Sequence, residues 1–239
     1  MAVTALKSAS DNIPYPGIDS KMVDHQHWLD RWKENRIGFH ESEVNRHLQH
    51  YLPRFELPQG ACVFIPLCGK AHDIAWIAAR GYEVIGIELS QLAIEAFFEE
   101  NELDYERFDA DRFGVYKAGN ISLLQGDFFD LSNDDLGACS LVYDRASLIA
   151  MEQHDRPRYY DHMLSIIPAV SNMLLITLAY DQAEMRGPPF AVPTDEVHQY
   201  YSDQFSINLL ESNDIIDESP RWRKVGLTSL KESVFRLDR

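Results

Sequence analysis

The run Val63-Phe64-Ile65 passes into Pro66-Leu67-Cys68-Gly69-Lys70, and a second apolar run, Val84-Ile85-Gly86-Ile87, ends on Glu88. This pair constrains the chain more than any other feature. Each run is short and continuously apolar, as strands buried on both faces of a sheet are. Between them lies a helical pattern with Ile74, Ala75, Ile77 and Ala78 on one face and Gly81 as its stop. Two buried strands joined by a helix run parallel, which requires layers of helix on both sides of the sheet. A carboxylate closing the second strand of such a unit stands where a ribose presents its two hydroxyls. The question the unit poses is which nucleoside it holds.

The rest of the chain repeats the alternation. Further strands are expected at 121–124, 139–143 and 173–179, and helices at 43–51, 72–80, 91–101 (with Ser90 as its cap), 156–167 and 194–201. The segment 102–120 is polar and irregular, with a short edge strand at 114–116. Strands at 207–211 and 229–237 would close the chain as a hairpin across a long loop, 212–228. The expected fold is α/β: a doubly wound, mainly parallel sheet with an antiparallel C-terminal hairpin and an N-terminal helical lid. Residues 1–22, punctuated by Pro14, Pro16 and Gly17, are expected to form an arm, and 23–239 a single domain. A helix at 24–35 carries Trp28 and Trp32 on one face and is expected to stop near Gly38. Such a pair can pin a helix to a core. Because this helix lies outside the strand–helix alternation, the stretch at about 24–53 also reads as a lid.

Composition excludes several partners. A net charge of -16 opposes nucleic acid, which is held by basic patches, and opposes an anionic membrane surface. No apolar run approaches the length of a membrane span, and the first residues lack the apolar segment of a secretion signal. The three cysteines, Cys62, Cys68 and Cys139, have neither paired nor metal-ligand spacing, which fits a reducing cytoplasm. His25, His27, His40, His47 and His50 are scattered without an HxxxH pair, so no metal is expected.

In an open α/β sheet, ligands bind beyond the carboxyl ends of the strands. That rule gathers Leu67, Cys68 and Gly69, then Glu88, Asp127-Phe128, Asp144-Arg145 and Tyr180-Asp181. Three nucleotide readings compete there. A phosphate loop fails at Gly69-Lys70, because no Gly stands five residues earlier and Ala71 replaces the Ser or Thr a magnesium ion needs. A dinucleotide loop weakens, since one glycine stands where three are wanted and Pro66 and Leu67 crowd the pyrophosphate. S-adenosylmethionine, a nucleoside with no phosphate, keeps the acidic ribose clamp and relaxes the need for a glycine cradle. Glu88 also has a plainer reading, a carboxylate capping the next helix beside Ser90, and Gly126-Asp127 is a common turn. Cys68 has no base near it in the sequence and makes a poor nucleophile candidate.

The motifs Trp28-Leu29-Asp30-Arg31-Trp32, Ile37-Gly38-Phe39-His40, Pro66-Leu67-Cys68-Gly69-Lys70, Ile87-Glu88-Leu89-Ser90, Gly126-Asp127-Phe128-Phe129, Tyr143-Asp144-Arg145-Ala146 and Gly187-Pro188-Pro189-Phe190 resemble, in order, those of the thiopurine S-methyltransferase family, in wording closer to its bacterial members. The resemblance runs from about residue 25 to the C-terminus. It implies a Rossmann-like class I methyltransferase fold with a seven-stranded sheet, S-adenosylmethionine as methyl donor, and a monomer. By position, Trp32, Leu67, Glu88 and Arg145 match the family's cofactor contacts, with Gly69 beside Leu67. Trp28 and Phe39 belong to the segment that closes over cofactor and substrate, and Asp127-Phe128 to the pair beside the adenine. Asp181 and Arg221 match positions near the acceptor, with Arg223 an equal choice for the second arginine.

These matches imply an aromatic wall from Trp28, Trp32 and Phe39 with Pro188, Pro189 and Phe190, suited to a flat heterocycle. Arg145 with Arg221 or Arg223 would favour an anionic acceptor, and Asp181 would take a proton. The expected acceptor is a thiopurine or related aromatic thiol. A selenium or tellurium species, in a detoxifying role, needs the same soft anion. Halide or simple thiol methylation is a weaker reading, and a non-catalytic nucleoside-binding module would bind the cofactor without turnover.

Overall fold

The computed structural model describes residues 25–239. The arm expected at 1–22, and Asp24 at the start of the expected lid, lie outside the described residues. In chain order the elements are α1 (His25–Lys33), α2 (Arg46–Tyr51), β1 (Cys62–Ile65), α3 (His72–Ala78), β2 (Glu83–Glu88), α4 (Gln91–Glu100), β3 (Glu106–Ala110), β4 (Phe113–Ala118), β5 (Ile121–Gln125) and α5 (Asn133–Leu136). There follow β6 (Cys139–Arg145), α6 (Arg156–Ile166), β7 (Asn172–Ala179), α7 (Thr194–Tyr201), β8 (Ser206–Asp214), α8 (Pro220–Val225) and β9 (Lys231–Asp238).

Among the described residues the strands form one sheet in the order β3-β4-β5-β2-β1-β6-β7-β9-β8. β5, β2, β1, β6 and β7 run parallel, and β9 and β8 continue antiparallel. Those seven are the expected α/β sheet with its C-terminal hairpin. Their apolar runs are continuous because alternate residues feed two cores. Val63, Ile65, Leu141, Tyr143, Leu174 and Ile176 face α2, α3 and α4, while Phe64, Val142, Met173 and Leu175 face α6 and α7.

Three features differ from expectation. The segment 102–120 is not irregular but holds the β3–β4 hairpin, which pairs antiparallel with β5 and brings the sheet to nine strands. Every residue of β3 is exposed, so this charged edge strand leaves no apolar pattern to read. The loop at 212–228 contains α8, opened by Pro220 and stopped by Gly226 at φ +109°. The left-handed residue after α1 is Asn35, at φ +53°, rather than Gly38. Asn accepts that conformation because its short polar side chain tolerates it.

From β1 the chain moves to β2 on one side and returns at β6 on the other. The gap beyond the carboxyl ends of β1 and β6 is therefore the topological switch point, where an open sheet leaves a crevice.

Candidate active site

A cavity of about 530 Å³ occupies that crevice. Its floor is made by backbone in uncommon conformations. Leu67 (φ +45°), Gly69 (φ +53°) and Ala146 (φ +69°) are all left-handed, and all three line the cavity. A branched or bulky residue held at positive φ stores strain that its surroundings must enforce. Here the Cys68 N–H donates to the Ile87 carbonyl (2.9 Å), and the Ser147 hydroxyl donates to the Pro66 carbonyl (2.7 Å), tying the end of β6 to the end of β1. Asp144, fully buried, holds the same turn by accepting from the Tyr159 hydroxyl (2.8 Å) and the Leu148 N–H (3.2 Å). Burial pushes its carboxyl up to about 6. Cys68 packs over Gly86, where a Cβ would meet its Sγ at 2.7 Å. Burial, with Glu88 nearby, holds this thiol well above its ordinary range, so it stays protonated and inert.

Glu88 closes β2 with only 7% of its surface exposed. One oxygen accepts the Gly69 N–H (2.9 Å) and the other the Ser90 N–H (2.8 Å). Burial lifts the carboxyl to about 7 against the pull of those bonds. Ser90 supplies the cap of α4 through its own hydroxyl, so Glu88 is not the cap. Each Glu88 oxygen retains a lone pair, and the residue lines the cavity.

The opposite wall is aromatic. Trp28 and Trp32 of α1 meet Phe39 edge-on, with ring centroids 5.7 and 5.5 Å apart. α1 buries none of its residues fully, so its tryptophans cover the cavity instead of entering a core. A Cβ on Gly69 would lie 3.1 Å from the Trp32 ring, so floor and wall approach closely here. Asp127 joins the two sides: one oxygen accepts the Phe129 N–H (2.9 Å) and the other faces His25 Nε2 of α1 at 3.1 Å.

Arg145, at the end of β6, projects into the cavity and pairs with Glu41. Burial opposes its charge, but Glu41, Tyr143 and Asp73 outweigh it and hold its pKa above the ordinary value. Arg221 of α8 also lines the cavity and donates to the Gly38 carbonyl.

The structure thus brings together Trp28, Trp32, Phe39, Leu67, Gly69, Glu88, Asp127, Phe128, Arg145, Pro189 and Arg221 around one cavity. Three of the expected site residues lie outside this cavity. Asp181 does not line it; the side chain is exposed and closes its own turn by accepting the Ala183 N–H (3.0 Å). Phe190 faces a separate cavity near Arg156, because the left-handed Gly187 lets the loop fold onto the Phe190 ring. Arg223 points outward to Asp217. Two residues apart on a helix face nearly opposite ways, so α8 can offer Arg221 or Arg223 to the site but not both.

Other wall residues escaped the sequence reading. Asp73 is buried, accepting the Asn45 N–H (2.8 Å) and the Tyr143 hydroxyl (3.0 Å). Burial raises its carboxyl. In sequence it reads as an ordinary acid in the first turn of a helix. Glu41 lies in a stretch with no regular element, and no pattern marks it.

Against known proteins, the family model described as thiopurine S-methyltransferase matches residues 23–239. The thiopurine S-methyltransferase of Nitrosospira multiformis is 45% identical over 212 residues, 89% of this chain and 96% of that protein. That of Pseudomonas aeruginosa PAO1 is also 45% identical, over 89% and 97%. Among solved structures, the Burkholderia thailandensis 1,6-didemethyltoxoflavin-N1-methyltransferase, with its substrate and S-adenosylhomocysteine bound, superposes with a TM-score of 0.60 at 13% identity, covering 91% of this chain and 88% of that one. A S-adenosylmethionine-dependent methyltransferase from Anabaena variabilis gives 0.60 at 15% identity, over 90% and 94%. Likeness at this identity speaks for the fold.

Proposed function

The chain belongs to the thiopurine S-methyltransferase family and is a S-adenosylmethionine-dependent methyltransferase, and we propose that its acceptors are thiopurines and related aromatic thiols, methylated on sulfur. The observation that carries this is the cavity itself: a buried carboxylate, Glu88, on one side, Arg145 with Arg221 on the other, and an aromatic wall between.

The residues present fit the cofactor. Glu88 has lone pairs for a ribose diol, the floor at Leu67–Gly69 leaves no cradle for phosphate, and Asp127-Phe128 offers a carboxylate and a ring edge to an adenine. When bound, S-adenosylmethionine supplies an electrophilic methyl on a sulfonium whose positive charge is lost as the methyl leaves. No strong base is needed for a soft thiolate. Arg145 and Arg221 lower the pKa of an acceptor thiol in the cavity, so that its proton leaves to water before reaction. Trp28, Trp32 and Phe39, carried on the lid stretch at about 24–53, exclude water together with Pro188 and Pro189 of the later loop and hold a flat ring in line. Asp181 has no part in this scheme.

The cavity is lined by the described residues of one chain, and we take a monomer in the cytoplasm as the working unit. No helix among the described residues is long and apolar enough to cross a membrane. The test is turnover with thiopurines, aromatic thiols, selenite and tellurite in parallel. S-methylated aromatic products support the proposal. Turnover of the oxyanions alone, or cofactor binding with no turnover on any thiol, overturns it.

A further inference from the structure

Both arginines offered to the acceptor are already engaged by the chain itself. The guanidinium of Arg145 pairs with Glu41, and that of Arg221 donates to the Gly38 carbonyl. Both partners lie in one irregular stretch, between the end of α1 and the start of α2, that also carries Phe39 of the aromatic wall. Among the described residues the Glu41 carboxylate pairs with Arg145 and also faces Arg221. Its side chain is 42% exposed, while that of Arg145 is 16% exposed. Arg145 also faces Tyr143, Asp73 and Glu232, of which Asp73 is held in place by Asn45 and Tyr143. Glu41 is therefore the solvent-exposed carboxylate beside Arg145, and Asp73 the buried one.

We propose that Glu41 is a specificity residue: it is a tethered competitor for Arg145, so that an anionic acceptor reaches the guanidinium only by displacing a carboxylate. This rests on the reading of the cavity as an acceptor site. The consequence is discrimination by charge. An ionised thiol gains the Arg145 contact only as Glu41 swings out to water, whereas a neutral thiol leaves the pair closed and is insensitive to it. Glu41 also keeps Arg145 from standing as an uncompensated cation in a largely apolar cavity between turnovers.

The test compares 4-nitrothiophenolate, ionised at neutral pH, with phenylmethanethiol, which is not, as acceptors for the wild type and Glu41→Gln. Removing the competitor should lower KM for the thiolate about three- to tenfold, the range of a partly exposed ion pair. The ratio of kcat/KM for thiolate over neutral thiol should rise. An unchanged ratio overturns the proposal. So does an equal fall for both thiols, which would make Glu41 a prop that holds Arg145 in position. If the wild type methylates neither thiol, the functional proposal fails separately. The absorbance of 4-nitrothiophenolate then reports its binding to both proteins in complex with S-adenosylhomocysteine: tighter binding in Glu41→Gln supports the competitor, and equal binding refutes it.

Discussion

Glu88→Gln changes one atom type in a site where both carboxylate oxygens are in use. The Gly69 and Ser90 N–H groups donate to them at 2.9 and 2.8 Å. In the variant one N–H faces an amide NH2, at a cost of about 1–3 kcal/mol for a buried donor left unsatisfied. The opposing effect is relief of a buried charge. With its carboxyl lifted from 4.5 to about 7, chiefly by burial, Glu88 costs about 3 kcal/mol more to ionise in the fold than in water. Above pH 7 the two effects nearly cancel, so the melting temperature of the cofactor-free protein should move by only a few degrees.

Binding has no such offset. The ribose diol loses a charged acceptor worth about 1.5–3 kcal/mol, or roughly ten- to hundredfold in Kd. Calorimetric titration with S-adenosylhomocysteine at pH 8 measures it. The pH dependence follows from the same carboxyl. The ionised form accepts the ribose hydroxyls, so wild-type affinity should fall as pH drops through about 7, approaching tenfold per pH unit below it, and the variant should lack that slope. Stability carries the opposite sign. The folded chain keeps this proton longer than the unfolded one, so Glu88's contribution is full below about pH 4.5 and is lost as pH rises to about 7. An unchanged Kd, or the same pH slope in both proteins, would refute the reasoning.

Two further outcomes are expected. Arg145→Ala should reduce kcat/KM for an ionised aromatic thiol by tenfold or more while weakening S-adenosylhomocysteine by much less, because the side chain faces Glu41 and the acceptor end of the cavity; steady-state kinetics and calorimetry decide it, and equal losses would make Arg145 a cofactor residue. His25→Ala removes the contact at 3.1 Å between α1 and Asp127, both partly exposed, and should speed cofactor-product release about two- to fivefold in stopped flow; an unchanged rate would mean that α1 closes without this latch.

The parallel strands were legible because burial on both faces writes continuous apolar runs, and the switch point followed from their order. β3 was illegible for the opposite reason: every residue is exposed, and its identity as a strand comes from pairing with β4. In the site, residues fixed by the backbone at strand ends, such as Leu67, Glu88 and Arg145, fell where the fold rule puts them. The acceptor side rests on loops whose path no local pattern encodes. Asp181 stands at the end of a strand yet turns to solvent, while Glu41, in no element at all, reaches Arg145. Arg221 and Arg223 could be separated only once α8 fixed which face of that helix meets the cavity.

A crystal structure of the complex with S-adenosylhomocysteine tests the central claim most directly. The account predicts both ribose hydroxyls on the Glu88 carboxylate, the adenine beside Asp127-Phe128, and the homocysteine sulfur turned toward the space before Arg145. A ribose held anywhere else in the cavity would contradict it.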